Sequence, residues 1–252
     1  MHFQFQKNEI PPTKQRSPKP EEKIVFYIKG FVNLPDTQNG CKRKPPPVAI
    51  YSHQVSRRSL EVSPEFLALI VFLQPGVLHR LMGIPMFDFP GDYVDAELFF
   101  GTEVRVISEQ LAAVESPSLM IPIVEQFMLS KCKQLIAGSA IDLVANHILS
   151  DPRTFSLDAL ADQANLSSKQ FYRKFVQRIG MAPKYFSRLT RFNHAYRFKL
   201  INPATTWSSI ALEYGYTDYH HLEKEFKEFI GVTPNEWIDT ELKAPERQLK
   251  LR

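Results

Sequence analysis

Residues 156–183 read SLDALADQANLSSKQFYRKFVQRIGMAP, and their pattern decides the fold of the second half of the chain. Leu157, Leu160, Ala161 and Ala164 form an apolar stripe at helical spacing, with Ser156 placed to cap the helix start. Ala161 and Ala164 are small, which lets a second helix approach closely. Asn165-Leu166-Ser167 is a short turn, because asparagine tolerates left-handed backbone and serine caps the helix that follows. That helix is expected over about 168–179. Phe171, Phe175 and Ile179 recur at four-residue spacing and face a core, whereas Lys169, Gln170, Tyr172 and Arg173 point away. Gly180 ends it.

The same pattern returns downstream. Leu160-Ala161 matches Ile210-Ala211, Leu166 matches Tyr216, Phe171 matches Leu222 and Phe175 matches Phe226. Gly180-Met181-Ala182-Pro183 matches Gly231-Val232-Thr233-Pro234, and Phe186 matches Trp237. The offset is 50 before the turn and 51 after it, so the second turn has gained one residue. Two copies of a helix-turn-helix unit, joined by a helix over roughly 184–201, account for the repeat.

A helix held across another in this way suits the major groove of duplex DNA, where arginine pairs with guanine and lysine reaches guanine or phosphate. From Ser167 to Lys199 there are nine lysines or arginines and no acid, a single-sign block suited to a polyphosphate. The candidate contacts of the first unit are Ser167, Lys169, Gln170, Tyr172, Arg173, Lys174 and Arg178. A merely solvated basic face is the bland alternative; the turn, the core spacing and the repeat weigh against it.

The second unit differs. Between Ser208 and Asp239 two lysines stand against seven acids. His220 and Lys224 share an outward face and, with Lys227, are its candidate contacts. Glu223, Glu225 and Glu228 are expected to repel nearby phosphate, so the first unit should dominate. Zinc binding by His220 and His221 is disfavoured, because neighbours on a helix diverge by about 100°. No metal, cofactor or catalytic constellation is expected.

The chain of 252 residues has room for two modest domains, and a net charge of +4 is too small to identify a partner. Residues 1–50 hold eight of the nineteen prolines. Strands are expected over Lys23–Val32, Val48–Val55 and Glu65–Leu73, a short helix over Val77–Met82, and longer helices from Glu103 and over 118–132. The division expected is a mixed α/β domain over 1–133, helix-turn-helix units over 139–240 and a polar tail over 241–252, an α+β domain followed by an all-α one. His79 and Arg80, beside the Pro75-Gly76 turn, form either an anion site or a surface pair. Arg57-Arg58 reads as a solvated strand edge or loop. Cys41 and Cys132 form no CxxC pair, and the N-terminus lacks the pattern of a signal peptide, so free thiols and a cytoplasmic location are expected.

These residues resemble the arabinose-regulator family over roughly 139–240. Ser167, Phe171, Arg173, Phe175 and Gly180-Met181-Ala182-Pro183 match the first unit's pattern. Arg191, Ala195 and Leu200 match the joining helix, and Ile210-Ala211 through Gly215-Tyr216-Thr217-Asp218 matches the second unit. Phe171 and Ala182 depart from the usual leucine and serine. The resemblance implies a transcriptional regulator of double-stranded DNA, with base-reading positions at Lys169, Tyr172, Arg173, His220 and Lys224. It also implies RNA polymerase as a partner, and an N-terminal domain that senses a small-molecule effector or forms a homodimer. A DNA-repair transferase fused to such units is the enzymatic alternative. It requires a reactive cysteine, and neither Cys41 nor Cys132 has the expected surroundings. A protein-binding adaptor is the third reading, supported only by the acidic second unit.

Overall fold

The structure, a computed structural model, describes residues 2–4, 13–35, 42–153 and 155–242. Its first half holds two antiparallel sheets. Strands β1 (His2–Gln4), β3 (Glu22–Lys29), β6 (Val48–Tyr51), β8 (Leu67–Leu73) and β9 (Tyr93–Asp95) form one, in the order β1-β8-β3-β6-β9. Strands β2 (Thr13–Arg16), β4 (Val32–Pro35), β5 (Lys42–Arg43) and β7 (Arg58–Val62) form the other, in the order β2-β7-β4-β5.

Side chains alternate along β3, so each face of the larger sheet buries its own set. Val25, with Ala49 and Tyr51 of β6, packs on Val32 and Val62 of the smaller sheet. Ile24 and Phe26, with Val48 and Ile50, pack instead against helices α1 (Val77–Met82), α2 (Glu97–Phe100), α3 (Glu103–Ala113) and α4 (Pro117–Cys132). Two-sided burial explains why Val48-Ala49-Ile50-Tyr51 reads as a continuous apolar run.

The expected strand Lys23–Val32 divides in two. Gly30 has φ +71°, and a Cβ there would lie 2.1 Å from Ser63 Oγ and 3.0 Å from the Phe66 backbone. The chain turns at that residue and passes from one sheet to the other, so β3 and β4 never form one strand. The strand expected over Val48–Val55 ends at Tyr51. Arg58 opens β7, an inner strand, and pairs with Asp92. Cys132 is exposed at the end of α4, and Cys41 lies outside the described residues. Among the described residues no helix is long and apolar enough to cross a membrane.

The second half is all helical: α5 (Ala140–Ser150), α6 (Leu157–Gln163), α7 (Ser168–Ile179), α8 (Pro183–Ile201), α9 (Trp207–Glu213), α10 (Tyr219–Ile230) and α11 (Pro234–Leu242). Phe171, Phe175 and Phe186 are fully buried with Ile141, Ile148 and Leu160 in the core of the first unit. Each buried phenylalanine contributes about 1.5–3 kcal/mol. Leu189, Phe192 and Tyr196 join Trp207, Leu222, Phe226 and Trp237 in the core of the second. Helix α8 thus supplies side chains to both cores.

Candidate nucleic-acid interface

The two units repeat at the level of the backbone. Asn165 has φ +53°, the one positive value outside glycine among the described residues, and Gly215, fifty residues on, has φ +73°. After each, the next amide closes the turn: Leu166 N–H donates to the Ala161 carbonyl at 3.0 Å, and Tyr216 N–H to that of Ala211 at 2.9 Å. Ser156 and Thr206 cap the first helices, and Ser167 and Asp218 cap the second ones. Gly180 and Gly231 end those second helices in left-handed conformation.

On α7 the burial follows the expected division. Phe171, Phe175 and Ile179 are buried, while Lys169, Gln170, Arg173 and Lys174 are exposed and Tyr172 is 48% exposed. Lys169, Arg173 and Lys174 carry no ion pair among the described residues. Ser167 and Gln170 have a local duty as well: Gln170 N–H donates to Ser167 Oγ, and Ser167 N–H donates to Gln170 Oε1, both at 3.4 Å. This capping box pre-forms the first turn of α7 and leaves the Gln170 amide nitrogen free of it.

Arg178 does not join the outward set. Its Nε and Nη2 donate to the two oxygens of Asp142 at 2.7 Å each, and both side chains are nearly buried. It clamps α7 to α5, so this candidate DNA contact is already engaged by a carboxylate. Other members of the basic block are similarly engaged. Arg188 donates to Glu225 at 2.7 Å and also pairs with Glu228, and Arg191 donates to Glu225 at 2.9 Å. Lys199 donates to the carbonyls of Pro203 and Thr205. The block had no acid in sequence, but its acids arrive from α5 and α10.

This pairing also changes the electrostatics of α10. Glu225 is 2% exposed and accepts from Arg188, from Arg191 and from the Tyr216 hydroxyl at 2.7 Å. The Arg191 guanidinium lies 4.2 Å from the Tyr216 ring centroid. Burial, followed by the Glu225 charge, holds the Tyr216 hydroxyl well above the usual phenol range. A buried, compensated carboxylate cannot repel phosphate in the way expected for Glu225. Glu223 sits 3.1 Å from Lys227, and its repulsion is softened too. His220, Lys224 and Lys227 are exposed on α10.

Three further exposed residues were not among the candidate contacts. Gln177 is exposed on α7 and follows Lys169 and Arg173 at four-residue steps, a spacing that was available to find it. Lys184 and Arg197 are exposed on α8 and carry no ion pair among the described residues.

Residues 160–240 match a helix-turn-helix domain family. The transcriptional activator RhaR of Enterobacter sp. strain 638 is 25% identical over 149 residues, covering 59% of this chain and 48% of its own length. A helix-turn-helix transcriptional regulator of Haemophilus influenzae is 34% identical over 91 residues, covering 36% and 30%. The chain therefore spans about half, or less, of the curated relatives that it matches. The whole architecture is similar in fold to ToxT from Vibrio cholerae, with a TM-score of 0.52 over 95% of this chain and 97% of ToxT at 12% identity. Residues 160–240 are thus an AraC-type helix-turn-helix domain, standing behind a two-sheet domain in an architecture that resembles the fold of ToxT.

Proposed function

We propose that this chain is a transcriptional regulator that binds double-stranded DNA in a sequence-specific manner, reading the major groove with α7 and, more weakly, with α10. The observation that carries this reading is the outward face of α7. Its phenylalanines are buried, its first turn is pre-formed, and Lys169, Arg173 and Lys174 have no competing carboxylate among the described residues. Recognition helices meet base edges with their N-terminal residues, which assigns Lys169, Tyr172 and Arg173 to bases and Lys174 to phosphate. On α10, His220, Lys224 and Lys227 make the lesser contribution, because Glu223 and Glu228 lie on the same helix.

The two-sheet domain modulates this activity, by an effector, by forming a homodimer, or both. Its contacts with the helical half support coupling: the Tyr185 hydroxyl donates to the Val55 carbonyl at 3.3 Å, and the His53 and Phe186 rings lie 5.7 Å apart. The relatives are named as transcriptional regulators, which supports RNA polymerase as a partner and a role without catalysis. We assign residues 1–133 and 139–240 to the two functional domains and 241–252 to a tail.

Fluorescence anisotropy with duplexes selected in vitro against random duplexes tests the reading. Tighter binding to the selected sequence is expected. Equal affinity for both, or no binding, overturns it.

A further inference from the structure

The two turns of the repeat carry different residues at the same left-handed position, Asn165 in the first unit and Gly215 in the second. The backbone angle alone does not demand glycine, since Asn165 adopts it at φ +53°. Space does. A Cβ on Gly215 would lie 2.7 Å from the Arg153 carbonyl oxygen and 3.4 Å from Arg153 Cα. The loop that follows α5, ahead of the first helix-turn-helix unit, is therefore seated on the turn of the second.

That loop has a fixed shape. Asp151 N–H donates to the His147 carbonyl at 2.9 Å and ends α5. Asp151 Oδ1 accepts from Arg153 N–H at 3.2 Å and from Arg153 Nε at 2.8 Å, and its Oδ2 accepts from Arg153 Nη2 at 2.8 Å. Helix α8 fastens the same corner. Its Arg191 Nη1 donates to the Gly215 carbonyl at 3.4 Å. Its His194 ring is hydrogen-bonded to the Leu149 carbonyl near the end of α5, and lies 6.3 Å from the ring of Tyr214, the neighbour of Gly215. A long helix bends along its length, so α8 by itself leaves the second unit some freedom to tilt. A second contact, away from the axis of α8, removes that freedom.

We propose that the Asp151–Arg153 loop is a strut between the two units, with Arg153, Gly215 and His194 as positioning residues that fix the tilt of α10 against α7 and so set which spacing of two DNA segments the chain accepts. The three act through α7 and α10 and not by touching DNA. The consequence for spacing rests on the DNA reading above; the strut itself does not.

Gly215→Asn places at the second turn the residue that the first already carries, so the turn is kept and only the contact is opposed. The Arg153 carbonyl must then retreat from 2.7 Å to an ordinary contact of about 3.4 Å or more. Nitroxide labels at Gln177→Cys on α7 and Lys224→Cys on α10, both exposed, report the separation of the helices by electron double resonance without DNA. The full chain is used, with Cys41→Ser and Cys132→Ser. One narrow distance is expected in the parent chain, and a shift or widening of about 1–2 Å in Gly215→Asn and in His194→Ala. The reciprocal change Asn165→Gly, at an exposed residue, should leave the distribution as it was. His194→Ala alters neither turn and carries the test if Gly215→Asn does not fold. The parent's distribution in either folded variant, or equal widening in Asn165→Gly, overturns the strut. Duplexes with one base pair added or removed between the contacted segments read the consequence. The parent chain should prefer one spacing, and Gly215→Asn should lose that preference while its affinity for the first segment alone is kept. A preference that survives altered distances overturns the link to spacing. Because the distances are measured without DNA, failure of the strut is distinct from failure of DNA recognition.

Discussion

Arg178 and Asp142 meet side on, with both guanidinium-to-carboxylate contacts at 2.7 Å, and so join the end of α7 to the start of α5. Asp142 is at the same time the third residue of a capping box, accepting from Ser139 N–H at 2.9 Å. It also lies against Gly76, where a Cβ would come within 2.2 Å of its carboxylate. One carboxylate thus ties together α5, α7 and the turn before α1.

Arg178→Ala should accordingly act on stability. Removing one partner of a nearly buried pair costs about 3 kcal/mol. Urea unfolding should show the loss, while the dependence of DNA affinity on salt stays that of the parent chain. A reduced salt slope with unchanged stability would return Arg178 to the phosphate contacts.

Arg173→Ala should cost about 1–3 kcal/mol against the selected duplex and relax the choice of base at one position. Lys174→Ala should weaken all duplexes alike. With about five phosphates neutralised across the two units, the slope of log K against log salt should be roughly −4.5. Anisotropy titrations across a salt series measure both.

Glu225→Gln removes the charge that Arg188 and Arg191 share. The two guanidinium groups of α8 then lose their shared carboxylate, and only Arg188 keeps an acid, Glu228, at a cost of about 3 kcal/mol. Thermal unfolding monitored by circular dichroism should show the second unit weakened. An unchanged or raised melting temperature would show that the network adds nothing to stability.

Glu22 and His53 are fully buried, with His53 Nε2 3.4 Å from Glu22 Oε1. Burial drives both toward their neutral forms, raising the Glu22 carboxyl to about 8 and lowering the His53 ring to about 4. Unfolding releases a proton from Glu22 above its ordinary value of 4.5, so its stabilising contribution is complete below that pH and is lost as pH rises to about 8. His53 works oppositely: its contribution is present above 6.5 and is lost as pH falls to about 4. The two oppose each other below 6.5, and Glu22 acts alone above it. Stability should fall between pH 6.5 and 8 by about 1.4 kcal/mol per unit at most. Glu22→Gln should flatten that decline in urea titrations at stepped pH.

The helix-turn-helix units were legible because their signals are local. Asn165, Ser167, Phe171, Phe175 and Gly180 each fix a cap, a turn or a buried face within a few residues, and the repeat doubles every signal. The larger sheet was half legible: β3, β6 and β8 are apolar runs, and α1 is bounded by its glycines. The smaller sheet was not, since β2, β5 and β7 are short and charged, and only the close approach of Ser63 and Phe66 makes Gly30 a corner. The candidate interface was legible in direction but not in charge. Arg178 finds its acid 36 residues away, and Arg188 finds Glu225 37 residues away, separations that no pattern along the chain encodes.

Helix α8 contributes Phe186 to one core and Leu189, Phe192 and Tyr196 to the other. A rod shared in this way fixes the phase between the two reading heads. On the proposed function, an operator lengthened by one base pair between its two contacted segments would present the second groove rotated by about 35°. The rod cannot twist to follow without opening a core, so spacing in the operator should be as strictly held as its letters.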